Sequence, residues 1–233
     1  MSAPLRVAVV GAAGRMGRLA LDQIDGTQDL ELVAALTRND ALSTALVASN
    51  AQVALDVTVA GLGTEHGMAM LEAGVRPVIG TSGVTLEQNA ALDRAAREVS
   101  LGGLVVPNFS LGIWLMMRAV EDAARHYPRV EVIEMHHADK VDAPSATAMD
   151  TAERIAAVQG RSSVEIPVHS VRIPGLLSNQ EVMLGGEGEV LRLRHETYSL
   201  SCFAAGILAA LRYAATAEGV GRGIEHAFDA RAD

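Results

Sequence analysis

Short apolar runs alternate with amphipathic stretches through the first hundred residues. Residues 6–10 form a β-rich run ending at Gly11. Met16, Leu19, Ala20 and Ile24 then recur at helical spacing, which predicts a helix over residues 14–25. Residues 30–36 and 53–57 are two further apolar runs. Residues 64–73 read as a helix stopped by Gly74, and residues 77–80 as a strand closed by Thr81-Ser82-Gly83. Residues 86–99 form an amphipathic helix with Arg94, Arg97 and Glu98 on its polar side, and residues 104–106 a fifth strand broken at Pro107. Strand and helix in this order predict a parallel sheet with helices on both faces.

The pattern changes near residue 108. Residues 111–125 carry Ile113, Trp114, Met117 and Val120 at helical spacing; residues 130–135 read as a strand, residues 136–145 as a polar loop, and residues 147–158 as a helix ending at Gly160. β-rich segments follow near 164–173, 180–184 and 188–199, with Gly185-Gly186 and Gly188 marking a turn. Residues 204–217 form a last apolar helix before a polar tail. Consecutive strands without helices between them predict an antiparallel or mixed sheet. The expected fold is α/β: a Rossmann-like doubly wound parallel sheet over residues 1–107, then a second α+β domain with a mixed or antiparallel sheet over residues 108–204.

Composition narrows the classes. With 49% hydrophobic and 20% charged residues, the chain is too apolar to be mainly disordered. A net charge of −9, a pI near 5.2 and no basic block argue against nucleic-acid binding. No apolar run is long enough to span a bilayer, and the first residues lack a signal-peptide pattern. The single Cys202 excludes an intramolecular disulfide and a Cys-rich zinc site. The expectation is a cytoplasmic protein with no nucleic-acid or membrane partner. Lys140 is the only lysine among 19 basic residues. Chance would leave one surface lysine as readily as function would, so its neighbours decide.

Gly11-Ala12-Ala13-Gly14-Arg15-Met16-Gly17 joins the first strand to the first helix. Glycines there permit a tight turn and close backbone approach to a pyrophosphate, and the N–H groups opening a helix favour phosphate. The spacing is G-x-x-G-x-x-G, so a merely tight turn stays open as the alternative. The second strand ends in Leu36-Thr37-Arg38 with no acid at its tip. Thr37 offers a hydroxyl to a ribose and Arg38 a partner for a 2′-phosphate, unless Arg38 is only a solvated arginine. The expected cofactor is NADPH or NADH.

The densest polar chemistry runs from Glu134 through His136, His137, Asp139, Lys140 and Asp142 to Pro144, Ser145, Ala146 and Thr147. Two of seven histidines and the only lysine fall within five residues. Histidine exchanges protons near neutrality, and lysine supplies a compact cation with a transferable proton. Ser145 to Thr147 open a helix whose N–H groups suit a carboxylate. Adjacent histidines on an extended segment point to opposite sides, which weakens a zinc reading with Asp139 or Asp142; no metal is expected. A solvated polar loop is the bland alternative.

Together these segments resemble the dihydrodipicolinate reductase family. The carriers are residues 7–17, Gly80-Thr81-Ser82-Gly83, Pro107-Asn108-Phe109-Ser110, the long run Glu134-x-His136-His137-x-x-Lys140-x-Asp142-Ala143-Pro144-Ser145-Ala146-Thr147-Ala148, Arg172-Ile173-Pro174-Gly175 and Phe203-Ala204-Ala205-Gly206. The resemblance implies an NADH- or NADPH-dependent reductase of a small cyclic dicarboxylate, 4-hydroxy-tetrahydrodipicolinate or dihydrodipicolinate, on the diaminopimelate route to lysine. It implies His136 as general acid and Lys140 as proton donor or charge-stabilising cation. It implies His137, Ser145, Ala146 and Thr147 as substrate-binding residues. Gly11, Ala12, Ala13, Gly14, Arg15, Met16, Thr37, Arg38, Gly80, Thr81, Ser82, Val106, Pro107, Asn108 and Phe109 would bind cofactor. It also implies a homotetramer built through the second domain's sheet, with residues 205–233 packing back on the first domain.

The chain departs from the family pattern in places. Ala146 stands for the usual glycine, Val59 for an arginine after the third strand, and Ser199-Leu200 for Ser-Arg; Ser178-Asn179-Gln180 replaces Gly-x-His. These changes bear on cofactor preference and substrate affinity more than on reaction type. Another two-domain nicotinamide-dependent dehydrogenase and a non-catalytic dinucleotide sensor are the competing readings.

Overall fold

A computed structural model describes residues 3–229. The chain divides into two compact units: one holds the segments up to Ser110 and from Phe203 onward, the other Leu111–Cys202.

The first unit is a six-stranded sheet of β1 (Leu5–Val10), β2 (Leu30–Leu36), β3 (Val53–Asp56), β4 (Arg76–Ile79), β5 (Gly102–Val105) and β10 (Gly219–Arg222). The order is β10-β5-β4-β3-β1-β2 and every pairing is parallel. Every residue of β3 and β5 is buried, as expected for strands covered on both faces. Its helices are α1 (Arg15–Asp25), α2 (Leu42–Ser49), α3 (Gly63–Glu72), α4 (Leu86–Glu98), α7 (Ala204–Ala214) and α8 (Glu225–Asp229). Ala8 and Val10 pack with Leu46 and Met70 of α2 and α3, while Ile79, Leu92 and Val105 form the core under α4. A capping box at Thr85 starts α4, with the Thr85 hydroxyl accepting from the Gln88 N–H.

The second unit is a mixed sheet, β7-β6-β8-β9, of β6 (Arg129–His136), β7 (Val168–Arg172), β8 (Ser178–Gly186) and β9 (Glu189–His195). β6 runs parallel to β7 and antiparallel to β8. Burial alternates along β6: Val130, Val132, Glu134 and His136 are buried. Val130 and Val132 pack in one core with Ile113, Met117 and Val120 of α5 (Leu111–Ala124) and Ala148 and Ile155 of α6 (Ala146–Gln159). Glu181, on the opposite sheet face, is paired with Arg192 and Arg194.

Four sequence expectations need correction. The polar tail contains β10 and α8: Gly219 and Val220 are buried in the first sheet, and two glycines in four residues leave no readable period. Helix α2 fills residues 42–49, between the second and third apolar runs, where the pattern assigned no element. The strand expected over 188–199 stops at His195, and residues 196–199 lie outside any strand. His136, assigned to a loop, is the last residue of β6 and 8% exposed. Of the C-terminal segment expected to end at residue 233, residues 230–233 lie outside the described residues.

Candidate active site

A groove of about 1070 Å³ opens at the carboxyl ends of β1, β2 and β3 in the first unit. Gly11, Ala13, Gly14, Arg15, Met16, Thr37 and Arg38 line it, together with Asp40, Thr58, Val59 and His66. Gly11 turns at φ +90°, and a Cβ there would stand 2.9 Å from the Val57 carbonyl oxygen, so a side chain meets both strain and collision. Helix α1 begins after Gly14 with no side-chain cap and no acid in its first turn. Its opening N–H groups are therefore left to a ligand, and the helix dipole favours an anion there. Those features fit a dinucleotide whose pyrophosphate lies at the α1 N-terminus.

The tip of β2 differs from its sequence reading. The Thr37 hydroxyl donates to Asp40 Oδ2 at 2.9 Å, and the Thr37 N–H donates to the same oxygen at 2.7 Å. These two bonds hold the Asp40 carboxyl below the usual range. The strand tip thus has an acid after all, supplied by a turn three residues downstream, and the Thr37 hydroxyl is bonded to it. Behind the groove residues Thr58 and His66, the buried Asp56 carboxylate accepts from the Thr58 N–H and hydroxyl at 3.0 and 2.6 Å, and its other oxygen lies 3.3 Å from His66 Nδ1. That second approach is close but not aligned as a hydrogen bond. Sequence reasoning passed over Asp40, Asp56, Thr58 and His66; the acid ending β3 and the hydroxyl two residues beyond it were the available signal.

The remaining expected cofactor residues do not line this groove. Ala12 is buried beneath the turn, and Val106 and Phe109 are buried as well. A Cβ on Gly80 would collide with the Phe109 ring, so this glycine makes room for an aromatic side chain. Thr81 is buried with its hydroxyl accepting from the Thr58 N–H at 3.0 Å, Ser82 is exposed, and Asn108 Oδ1 accepts from the Ser110 N–H at 2.9 Å. Pro107 is half-buried.

In the second unit the β6 end gathers a dense polar cluster. Side chains two apart on a strand share a face, so Glu134 and His136 both point toward the helices. Glu134, fully buried, accepts from Arg172 Nη1 at 2.8 Å and Nη2 at 2.7 Å, from the Ser145 N–H at 3.2 Å and from His136 Nδ1 at 2.5 Å. Burial pushes the Glu134 carboxyl up, but bonds from Arg172, Ser170 and His136 outweigh it and hold it at about 2. An ionised carboxylate only accepts, so Nδ1 of His136 carries the hydrogen. Burial also lowers the His136 pKa below that of a free imidazole, against the pull of Glu134. Its Nε2 meets Ser178 Oγ at 3.1 Å.

Arg172 also donates to the Lys140 carbonyl at 3.3 Å and the Asp142 carbonyl at 2.7 Å, tying the loop to the sheet. Lys140 Nζ lies 2.7 and 2.9 Å from the two Asp142 oxygens. Ser145 caps α6 by accepting from the Ala148 N–H at 3.2 Å. Ala146 is exposed in the first helical turn and outside the positive-φ region, so its methyl group costs no backbone strain; Thr147 and His137 are half-buried. The second unit therefore holds His136 at the end of β6, Lys140 on the loop that follows and the α6 start on one braced segment. Sequence reasoning gave Glu134 and Arg172 no role, although the Glu-x-His spacing signals a shared face. Among the described residues no three His, Cys, Asp or Glu side chains converge as a metal site.

Comparison with known proteins agrees across the chain. The family patterns described as dihydrodipicolinate reductase, N-terminus and C-terminus, match residues 5–109 and 112–226. A 4-hydroxy-tetrahydrodipicolinate reductase of Coxiella burnetii (strain Dugway 5J108-111) is 40% identical over 221 residues, covering 89% of this chain and 92% of that protein. One from Streptomyces griseus is 42% identical over 246 residues, covering 97% and 98%. The solved dipicolinate-bound dihydrodipicolinate reductase from Paenisporosarcina sp. TG-14 has a TM-score of 0.80 at 34% identity, covering 95% of this chain and 98% of that one. With groove, braced loop and both halves of the pattern in place, the chain belongs to the dihydrodipicolinate reductase family of NAD(P)H-dependent oxidoreductases.

Proposed function

We propose that His136 and Lys140 serve the proton side of this reduction, with 4-hydroxy-tetrahydrodipicolinate or the dihydrodipicolinate formed from it as substrate and tetrahydrodipicolinate as product. The carrying observation is the β6 end and the loop after it: an imidazole and the chain's only lysine on one segment braced by the Glu134–Arg172 pair. Bound nicotinamide supplies the hydride. Gly11, Ala13 to Met16, Thr37, Arg38 and Asp40 hold the nucleotide at the groove of the first unit. Ala12, Gly80 to Ser82 and Val106 to Phe109 support that groove from behind or at its far end.

In the second unit the opening N–H groups of α6, with Thr147 and His137, receive the substrate carboxylates. The dipicolinate named in the Paenisporosarcina structure has the matching dicarboxylate chemistry. Lys140 leaves the exposed Asp142 carboxylate for substrate and offsets the negative charge that hydride addition places on the ring. His136, once protonated at Nε2, delivers the proton that completes reduction.

The same reading makes the protein a cytoplasmic homotetramer. No described helix is long and apolar enough to cross a membrane. On the face of the second sheet away from α5 and α6, Ile133, Met135 and Met183 are only half-covered within one chain, which suits packing against another copy. Light scattering of the purified protein gives its assembly directly.

The activity test follows oxidation of NADPH and NADH with substrate freshly generated from pyruvate and aspartate semialdehyde. Turnover is expected, and His136→Ala with Lys140→Ala abolishes it. Nucleotide binding without turnover on this substrate refutes the assignment.

A further inference from the structure

The polar cluster of the second unit is an ordered grid. Antiparallel pairing sets Ser178 directly opposite His136, and parallel pairing sets Arg172 on its other side. Ser170, Glu134 and Gln180 form the row before. His136 is thus held from two directions by groups of different capacity. Glu134 engages Nδ1 and accepts only; Ser178 meets Nε2 at 3.1 Å with a hydroxyl that both donates and accepts.

We propose that Ser178 is a positioning residue for proton transfer, holding Nε2 of His136 in both of its protonation states. With the ring neutral, the Ser178 hydroxyl donates to Nε2. With the ring protonated, Nε2–H donates to Ser178 Oγ, and the hydroxyl hydrogen turns outward. Substrate, drawn up beside Ser178 Oγ, takes the hydrogen that Nε2 gained from solvent: the Nε2–H bond breaks and the new bond forms on substrate. The ring returns to its Nδ1–H form, and the hydroxyl turns back to donate. No heavy atom of the sheet has to move. The inference rests on the reductase reading for its catalytic consequence, but not for the contact itself.

The bond in the charged state is the stronger of the two. Removing the hydroxyl therefore disfavours the imidazolium. The charged groups around the ring are Glu134 on β6, Arg172 on β7 and Lys140 on the loop. Ser178 and Gln180 of β8 bring no titratable group, and the first turn of α6 has no acid.

The test compares wild type, Ser178→Ala and Ser178→Thr as full-length proteins. Nitrogen-15 NMR of the histidines reads His136 without any substrate. Ser178→Ala is expected to lower its titration point by roughly half to one pH unit, and Ser178→Thr to restore it. In the reductase assay Ser178→Ala is expected to lower kcat about tenfold, with KM held within about twofold. The alkaline limb of its pH profile moves down by the same interval. An unmoved titration point overturns the proposal, as does equal impairment of Ala and Thr variants with an unshifted limb. Absence of wild-type turnover removes the reductase reading, while the NMR titration still decides the Ser178 contact.

Discussion

Glu134→Gln removes one charge from a buried site and leaves its shape. Donors from Arg172, His136, Ser145 and Ser170 converge on this carboxylate. An amide offers one acceptor oxygen, and its own N–H₂ group faces the remaining donors, so Arg172 loses its counter-charge within the sheet. Breaking a buried pair in this way costs about 3–5 kcal/mol. The lowered carboxyl pKa gives a second value: a carboxyl held at about 2 instead of 4.5 corresponds to about 3 kcal/mol. Because the pKa is lowered on folding, that stabilisation is complete above pH 4.5 and fades as the pH falls toward 2. Urea unfolding of wild type and variant should therefore differ by about 3 kcal/mol at pH 7, with the gap closing between pH 4.5 and 2. His136 also loses the acceptor that fixes its tautomer, so kcat should fall at least about a hundredfold. A variant within about 1 kcal/mol of wild type at pH 7, with unchanged kcat, refutes the brace.

Two further substitutions test the nucleotide groove. Gly11→Ala forces a methyl group toward the Val57 carbonyl at positive φ; fluorescence titration with NADH should show at least about tenfold weaker binding, and unchanged affinity refutes the close-approach reading. Arg38→Ala should weaken NADPH more than NADH, whereas Asp40→Asn should improve NADPH relative to NADH, each by about threefold to fivefold because both groups are exposed. Parallel changes for both nucleotides remove the 2′-phosphate role.

Much of this arrangement was legible because its determinants are local. The turn from Gly11 to Gly17 carries its reason within seven residues, and the His136–Lys140 segment concentrates rare residue types. What escaped was set by pairing across distance. Arg172 reaches Glu134 only because β7 lies beside β6, and no spacing announces that neighbour. Asp40 returns to Thr37 through a turn, which a search for an acid at the strand tip overlooks. Strand β10 has too few side chains to show a period and takes its identity from β5. Ser178 looked like a departure from the family pattern; opposite His136 it acquires a partner.

The nucleotide-binding half is closed by the last part of the chain. Residues from Phe203 onward supply α7 and the border strand β10, so Leu111–Cys202 is an insertion between two pieces of one sheet. During synthesis the inserted unit emerges whole and has every segment it needs to fold first. The nucleotide unit must wait, with β5 presenting bare backbone N–H and C=O groups until residues 219–222 arrive. Completion of the nucleotide unit thus depends on residues made after the inserted unit, and a nascent chain stalled before residue 219 carries a sticky sheet border for as long as it waits.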